Sequence, residues 1–527
     1  MGTNLSLVVA VLLPVIVIGR WFYLLVIHPL SPYPGPFIAR ITNWYAALYW
    51  WRGDLHTKLS ELHKKHGEII RIGPNTISFC SQAAMTEIYS VRANVRKDDV
   101  WAILDSARHI PSTVSSIDKE EHRFRRRILT QIFSETTLKG FEDEILEKVE
   151  TFCALLGPGA PTAESADVNK CTVKDLGKLT DYLAFDVISS LCFGKSFDMM
   201  KSSDLHYIIH IADQINRRNA LCFAQPKIWR LRLEKFLLAP LLGPIRNFGS
   251  WFYKHSKERV KLGNHAQRKD FFHYLFNAED LKTGRRMNGK ELWVELLQLI
   301  LAGSDTTAIT ISSTIFYLLH NPRTLTKLAH EIRARFLNAS KIRSGPALES
   351  CVYLQACIKE ALRLSPPITG ISPRRILRGG MTVSGHYFPE GVRIGTPIYA
   401  LHRCEEYFGD ADAFRPERWI PSADQNRDHD EQRKLAESAF FPFSLGPRSC
   451  VAQKMAWKEI TLAVAHVLFR YDLVLCGEDG SEAAGSTRCR CAEDGSQLRA
   501  HCQFQLKGWI TSGRRTKGPF VRARQRV

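Results

Sequence analysis

Between Leu5 and Ile27 the chain is apolar apart from Ser6, Gly19 and Arg20. A helix rises about 1.5 Å per residue, so this stretch covers the roughly 30 Å hydrocarbon layer of a bilayer. The segment divides whatever follows into a transmembrane anchor, residues 5–27, and a body. Arg20 lies near the later end, where its aliphatic stem can carry the charge out to the interface. No Lys or Arg precedes it, whereas Arg40 and Arg52 follow. The positive-inside rule then leaves the short N-terminus outside the cytosol and the body within it. The alternative is a cleaved signal peptide. Against that reading, the first residues lack basic side chains and no small-x-small site follows Leu7–Ile18.

His28-Pro-Leu-Ser-Pro-Tyr-Pro-Gly-Pro36 comes next, with four prolines. Such a run cannot be helical and is expected to form a stiff, extended spacer over residues 28–36. From Trp44 onward the apolar period is mostly helical, with short strand-like pieces. Ile69–Ile72 and Thr76–Phe79 flank Gly73-Pro74-Asn75 as a hairpin, and Met381–Val383 and Val392–Ile394 read as strands. Glu120–Phe133, Leu176–Phe193, Asp204–Asn216, Glu291–Leu319, Gln355–Leu364 and Ala452–Phe469 read as helices. Residues 476–501 are polar and are expected to form a surface loop. No long linker interrupts 37–527, which predicts one large, mainly α domain with small β-sheets.

The formal charge of +19 admits nucleic acid, an anionic membrane or an acidic protein as partner. No zinc-finger spacing, RNA-binding aromatic motif or long basic run is present, so no nucleic-acid partner is expected. The thirteen cysteines are odd in number and form no C-x-x-C. Cys489 and Cys491 lack zinc spacing, and most of the set reads as reduced, small apolar residues.

The exception is Cys450, in Phe443-Ser-Leu-Gly446-Pro-Arg448-Ser-Cys450-Val-Ala452. Gly446 permits a tight turn beside a flat cofactor. A cysteine just before a helix has N–H groups that favour its thiolate. Arg448 offers a fixed cation to a carboxylate. A second pattern, Ala302-Gly303-Ser304-Asp305-Thr306-Thr307, lies inside the long apolar helix, where a glycine, a carboxylate and hydroxyls are costly. Either the hydroxyls bond back to carbonyls of the preceding turn, or the helix opens beside a ligand and delivers protons. Glu360 and Arg363 stand one helical turn apart, and His122 and Arg126 lie in the basic helix, whose Arg123, Arg125 and Arg127 read as a solvated face.

The Cys450 loop resembles the haem-binding loop of the cytochrome P450 monooxygenases, in which a cysteine thiolate holds the haem iron. Ala452 stands where the family usually has Gly. The resemblance spans nearly the whole chain. His28-Pro-Leu before Tyr33-Pro-Gly-Pro, Arg71-Ile-Gly-Pro-Asn, Tyr399-Ala-Leu-His402, Lys507-Gly-Trp and Gly518-Pro-Phe are similar to its fungal microsomal branch, many of whose members tailor secondary metabolites. It implies haem b as cofactor, with Cys450 as axial ligand and Phe443, Gly446 and Arg448 around it. It implies that Thr306 hydrogen-bonds dioxygen and Asp305 relays protons. Arg126 would meet a haem propionate beside His122, which replaces the family's Trp, and Arg374 would reach a propionate as well. Glu360 and Arg363 would lock with Arg418, in Phe414-Arg-Pro-Glu-Arg418-Trp419, in a structural role.

The implied partners are an NADPH–cytochrome reductase, cytochrome b5 as a second donor, and a hydrophobic small molecule. Lys454 and Lys458 would help form the reductase's docking face. The implied place is the endoplasmic reticulum membrane, single-pass, with the catalytic domain in the cytosol. By the same analogy the substrate pocket draws on Asp98–Ile117, Ser202–Leu242, Leu297–Ala302 and Ile368–Pro373. Two other activities share the motifs: a haem-thiolate isomerase, dehydratase or desaturase, and a non-enzymatic haem-binding membrane protein. The Asp305–Thr306 pair favours oxygen activation over both.

Overall fold

The computed structural model describes residues 2–105, 110–157, 172–262, 269–422, 427–479, 481 and 503–526. Cys489, Cys491, residues 106–109 and nearly all of the expected loop at 476–501 lie outside that set. Cys476 itself is buried at the end of a strand.

The apolar N-terminal stretch forms α1 (Gly2–Phe22), which runs into a π-turn at Tyr23–Ile27. Over Ala10–Ile27 the mean hydropathy is 2.3 and only 6% of the segment is buried. By length and composition this helix is long and apolar enough to cross a membrane. The proline-rich segment is folded rather than extended. Ser31 N–H donates to the His28 carbonyl at 2.8 Å, and Leu24 and Leu30 are buried. The fully buried Arg71 guanidinium binds the carbonyls of Leu24 (2.8 Å), Leu30 (3.3 Å) and Pro74 (2.7 Å). Prolines exclude a helix here, but they do not prevent a turn tied down by a cation from the body.

The helices begin and end where the chain supplies caps. Asp118 accepts the Glu121 N–H at 2.7 Å at the start of α2 (Lys119–Ile132). Asp175 caps α3 (Leu176–Phe193), and Gly194, at φ +65°, ends it. Then come α4 (Tyr207–Ala224) and α5 (Ala239–Leu262). α4 starts three residues later than expected and runs eight further. A capping box between Asn288 and Glu291 opens α6 (Gly289–His320), which stops before Pro322. α7 (Val352–Leu364) stops before Pro366-Pro367, and α8 (Gln453–Arg470) follows the Cys450 loop.

β1 (Ile69–Gly73), β2 (Thr76–Phe79), β3 (Val95–Lys97), β4 (Arg374–Ile376) and β5 (Arg393–Gly395) make one sheet in the order β1-β2-β5-β4-β3. The β3–β4 pairing is antiparallel and sets Lys97 directly opposite Arg374. Met381–Val383 pairs instead with His386–Phe388 in a separate hairpin. Near the end, β6 (Tyr471–Cys476), β7 (Leu506–Gly508), β8 (Ser512–Arg514) and β9 (Phe520–Gln525) make two small sheets: β7 with β8, and β9 between β6 and Lys174–Asp175.

α6 is the axis of the main core and packs along α3. Gly303 allows the closest approach: a Cβ there would stand 3.0 Å from the Ile188 side chain. The helix is continuous through its polar insert. Ser304 donates to the Ile300 carbonyl at 2.8 Å, Thr306 to Ala302 at 2.8 Å and Thr310 to Thr306 at 2.8 Å. Of the two readings of this insert, hydroxyls bonded back to carbonyls is the one found here, and no local opening is present.

Candidate active site

A cavity of about 1300 Å³ lies between α6, α4, the five-stranded sheet and the loop before α8. On its wall the chain turns sharply at Gly446, at φ +69°, where a Cβ would run into the Tyr89 carbonyl oxygen. The turn lets the Cys450 N–H donate to the Phe443 carbonyl at 2.9 Å, and Phe443 itself lines the cavity. Of the nine cysteines among the described residues, Cys450 alone is exposed, and what it exposes faces the cavity. Burial in the protein body raises its thiol pKa, while the Ala452 N–H and Arg126 pull it down.

Beside Cys450 the cavity holds a cluster of cations. Lys97, Arg126, Arg374 and Arg448 all line it, together with His122. Among the described residues none of these cations has a carboxylate within ion-pair distance. They rest on carbonyls: Lys97 on Val114, Arg126 on Ser449, Arg374 on Ser372 at 3.2 Å, and Arg448 on Ser116 at 2.6 Å. Burial, with Arg374 and Arg448 nearby, pushes the Lys97 ammonium well below its usual range. Burial, then Arg374, brings Arg448 down to about 9. Burial, then Arg448 and Lys97, brings His122 down to about 2. Like charges opposed across a strand pair are unfavourable, and buried cations without an anion are more so. The cluster therefore calls for a ligand with more than one negative charge, held close to a cysteine sulfur. An iron porphyrin, with two propionates and an iron needing an axial ligand, fits this donor set.

On the opposite wall α6 presents Asp305 and Thr306. Asp305 Oδ2 accepts from Asn216 Nδ2 at 3.1 Å and from Thr511 Oγ1 at 3.1 Å. Burial, then Asp213 and Asp181 nearby, raises its carboxyl to about 7.

Behind the Cys450 loop, Glu360, Arg363 and Arg418 meet as expected. Arg363 donates to Glu360 at 2.8 and 3.0 Å and Arg418 at 2.9 Å, with all three side chains buried. Arg363 also binds the carbonyls of His402 at 2.8 Å and Ala411 at 2.6 Å. The His402 ring accepts the Phe441 N–H at 3.0 Å and stacks on Phe440. The ion cluster is thus connected to the start of the loop that carries Cys450.

Two expectations about charge are corrected. Arg125 is not on a solvated face: it is 1% exposed and binds Glu121 at 2.7 Å, Glu291 at 2.9 Å and Glu295 at 3.2 Å. Lys454 and Lys458 do not form an open basic patch, because they pair with Glu135 at 2.8 Å and Glu142 at 3.2 Å. Each expected pocket segment contributes residues to the cavity wall, Trp101–Asp105 and Thr113–Val114 among them. Sequence reasoning missed Lys97, Trp50, Asn216 as a partner of Asp305, and the Trp509–Thr511 turn. Lys97 sits in an ordinary mixed-charge run, and only its register with Arg374 marks it.

A family model described as Cytochrome P450 matches residues 29–486. A cytochrome P450 monooxygenase of Penicillium oxalicum is 36% identical over 86% of this chain and 86% of its own length. One of Alternaria alternata is 34% identical over 98% of this chain and 96% of its own. One of Gibberella fujikuroi is 33% identical over 85% and 87%. With the cysteine, the cation cluster and the acid–alcohol wall converging on one cavity, this chain belongs to the cytochrome P450 family and is a haem-thiolate monooxygenase that takes haem b, electrons from a reductase, typically NADPH-dependent, and a hydrophobic substrate.

Proposed function

We propose that the chain is a membrane-anchored monooxygenase in which Cys450 is the axial ligand and Arg126, Arg374, Arg448, His122 and Lys97 hold the haem propionates. Bound there, haem supplies the iron centre whose thiolate ligand favours O–O cleavage. The protein's part is to hold, orient and protonate. Gly446 shapes the loop, and the Glu360–Arg363–Arg418 cluster steadies its start. Asp305 holds a proton at the cavity wall beside the Thr306 hydroxyl. The apolar lining, including Trp50, Trp101, Phe223 and Ile371, selects a hydrophobic substrate. The observation that carries the reading is the placement of Cys450, which faces the same cavity as four cations that lack carboxylate partners among the described residues.

The test is the absorption spectrum of the reduced protein with carbon monoxide. The expected result is the red-shifted Soret band of thiolate-ligated haem in the wild type and its loss in Cys450→Ala. A Cys450→Ala protein that keeps the band would refute the ligand assignment.

Anchoring in the endoplasmic reticulum membrane, with the body in the cytosol, is supported by α1 and by the basic residues that follow it. A second apolar surface supports it too. Phe37, Ile38 and Leu48 are exposed on the segments that follow the anchor, and Leu231, Phe236 and Leu237 are exposed next to the basic Arg230, Arg232 and Lys235 in the chain. The reductase and cytochrome b5 would approach from the cytosol, on the side of the Cys450 loop. A chain starting at Tyr23 is expected to leave membranes on carbonate extraction, while the full chain stays. It keeps Leu24, and with it one Arg71 hydrogen bond. A chain starting at His28 loses that contact, worth about 1.5–3 kcal/mol for a charged donor, and should melt at a lower temperature. Retention of the Tyr23 chain in extracted membranes would overturn α1 as the anchor.

A further inference from the structure

Asp305 is held by two elements foreign to its own helix. Asn216 comes from α4, which roofs the cavity, and Thr511 from the turn between β7 and β8. Both donate to the same oxygen, Oδ2, and the side chain makes no other hydrogen bond among the described residues. The remaining oxygen, Oδ1, is left to carry the proton. Around this carboxyl the charges are uneven. Asp213, three residues before Asn216 on α4, and Asp181 on α3 raise its proton affinity. The strong counter-ion is Arg514 on β8, and it is committed to Asp181, at 2.8 Å for one of its two bonds. Lys507 on β7 and His210 on α4 bear on Asp213. Among the described residues no cation is hydrogen-bonded to Asp305 itself.

We propose that Asn216 and Thr511 are positioning residues for the proton step: they clamp one oxygen of Asp305 so that the other presents its proton to the cavity. The proposal rests on the proton-holding role given to Asp305 above. It ties proton supply to α4 and to the C-terminal hairpin, so a shift of either element changes how the acid is held. The two kinds of neighbour act with opposite sign. Donors stabilise the carboxylate, so losing one raises the pH at which Asp305 ionises. A like charge destabilises the carboxylate, so losing it lowers that pH.

The experiment is an infrared pH titration of the protonated carboxyl band of the haem-loaded full chain, assigned by its loss in Asp305→Asn. The expected midpoint lies near the value of about 7 given by burial and the neighbouring acids. It should move up in Thr511→Val and Asn216→Leu, stay in Thr511→Ser, and move down in Asp213→Asn. A merely structural disturbance would not split the variants by sign. An unmoved midpoint in both Thr511→Val and Asn216→Leu overturns the clamp, and a shift of Asp213→Asn upward overturns the role given to that acid. The carbon monoxide spectrum is recorded on each variant as a separate readout. A retained thiolate band with unmoved midpoints fails the clamp alone, whereas a wild type without that band fails the haem-thiolate reading itself.

Discussion

Glu360→Ala is expected to yield little or no folded, haem-containing protein. The carboxylate is fully buried and takes five hydrogen bonds: two from Arg363, one from the Arg418 guanidinium, one from the Arg415 N–H at 3.0 Å and one from Trp419 Nε1 at 2.9 Å. Removing it leaves two buried guanidiniums without an anion. Breaking a buried pair in this way costs about 3–5 kcal/mol, against a total stability of roughly 5–15 kcal/mol for a typical domain. The damage falls at the functional end, because Arg363 also fixes the His402 carbonyl and the His402 ring fixes Phe441 ahead of the Cys450 loop. Burial alone would raise the Glu360 pKa, but Arg363 and Arg418 hold it below the usual carboxylate value. Its contribution is therefore present above the ordinary glutamate range and is lost as pH falls through the lowered folded value. The measurement is haem content and melting temperature of Glu360→Ala and Glu360→Gln. The amide keeps the shape but faces a guanidinium with a donor, so it should fall between the alanine variant and the wild type. A Glu360→Ala protein with the wild-type melting temperature would remove the cluster from any account of the Cys450 loop.

Elements bounded by local signals are legible in the sequence. Leu176–Phe193 is right to the residue because Asp175 and Gly194 mark both ends in the chain itself. The Cys450 loop was legible for the same reason, since its turn, its cysteine and its helix are contiguous. What could not be read depends on pairings across the fold. The apolar period predicts a helix over Asp204–Asn216, and Arg217, Arg218 and Asn219 follow it. In the fold, Arg217 lies over the Trp51 ring at 3.8 Å, Arg218 pairs with Glu234 and Asn219 is buried. Arg125 reads as a solvated charge in sequence, where Glu121 stands one helical turn before it, while Glu291 and Glu295 arrive from α6. The two corrections share one cause: a charge's meaning depends on what is folded against it, and helical period does not encode that.

The same dependence on distant pairing gives the second large effect, at Arg374. Replacing Arg374 by Leu is expected to act in opposite directions on the haem-free and haem-loaded protein. Arg374 is buried on β4, opposite Lys97, and both Lys97 and Arg448 feel its charge. Its own hydrogen bonds are to the Ser372 and Pro373 carbonyls, at 3.2 and 3.3 Å, so no carboxylate compensates it. Without an anion in the cavity, removing the charge relieves repulsion, and the haem-free melting temperature should hold or rise. With haem bound as proposed, the same change would remove a charge-assisted hydrogen bond to a propionate, about 1.5–3 kcal/mol. Haem transfer to excess apomyoglobin should then be roughly tenfold to a hundredfold faster, since about 1.4 kcal/mol is a factor of ten. A simple packing defect would lower both stabilities together. An unchanged rate of haem loss would show that the propionates lie elsewhere. The cation cluster, now read as the cofactor's anchor, would then need a different anion. Opposite signs in the two measurements are the signature of a residue kept for its ligand at a cost to the fold.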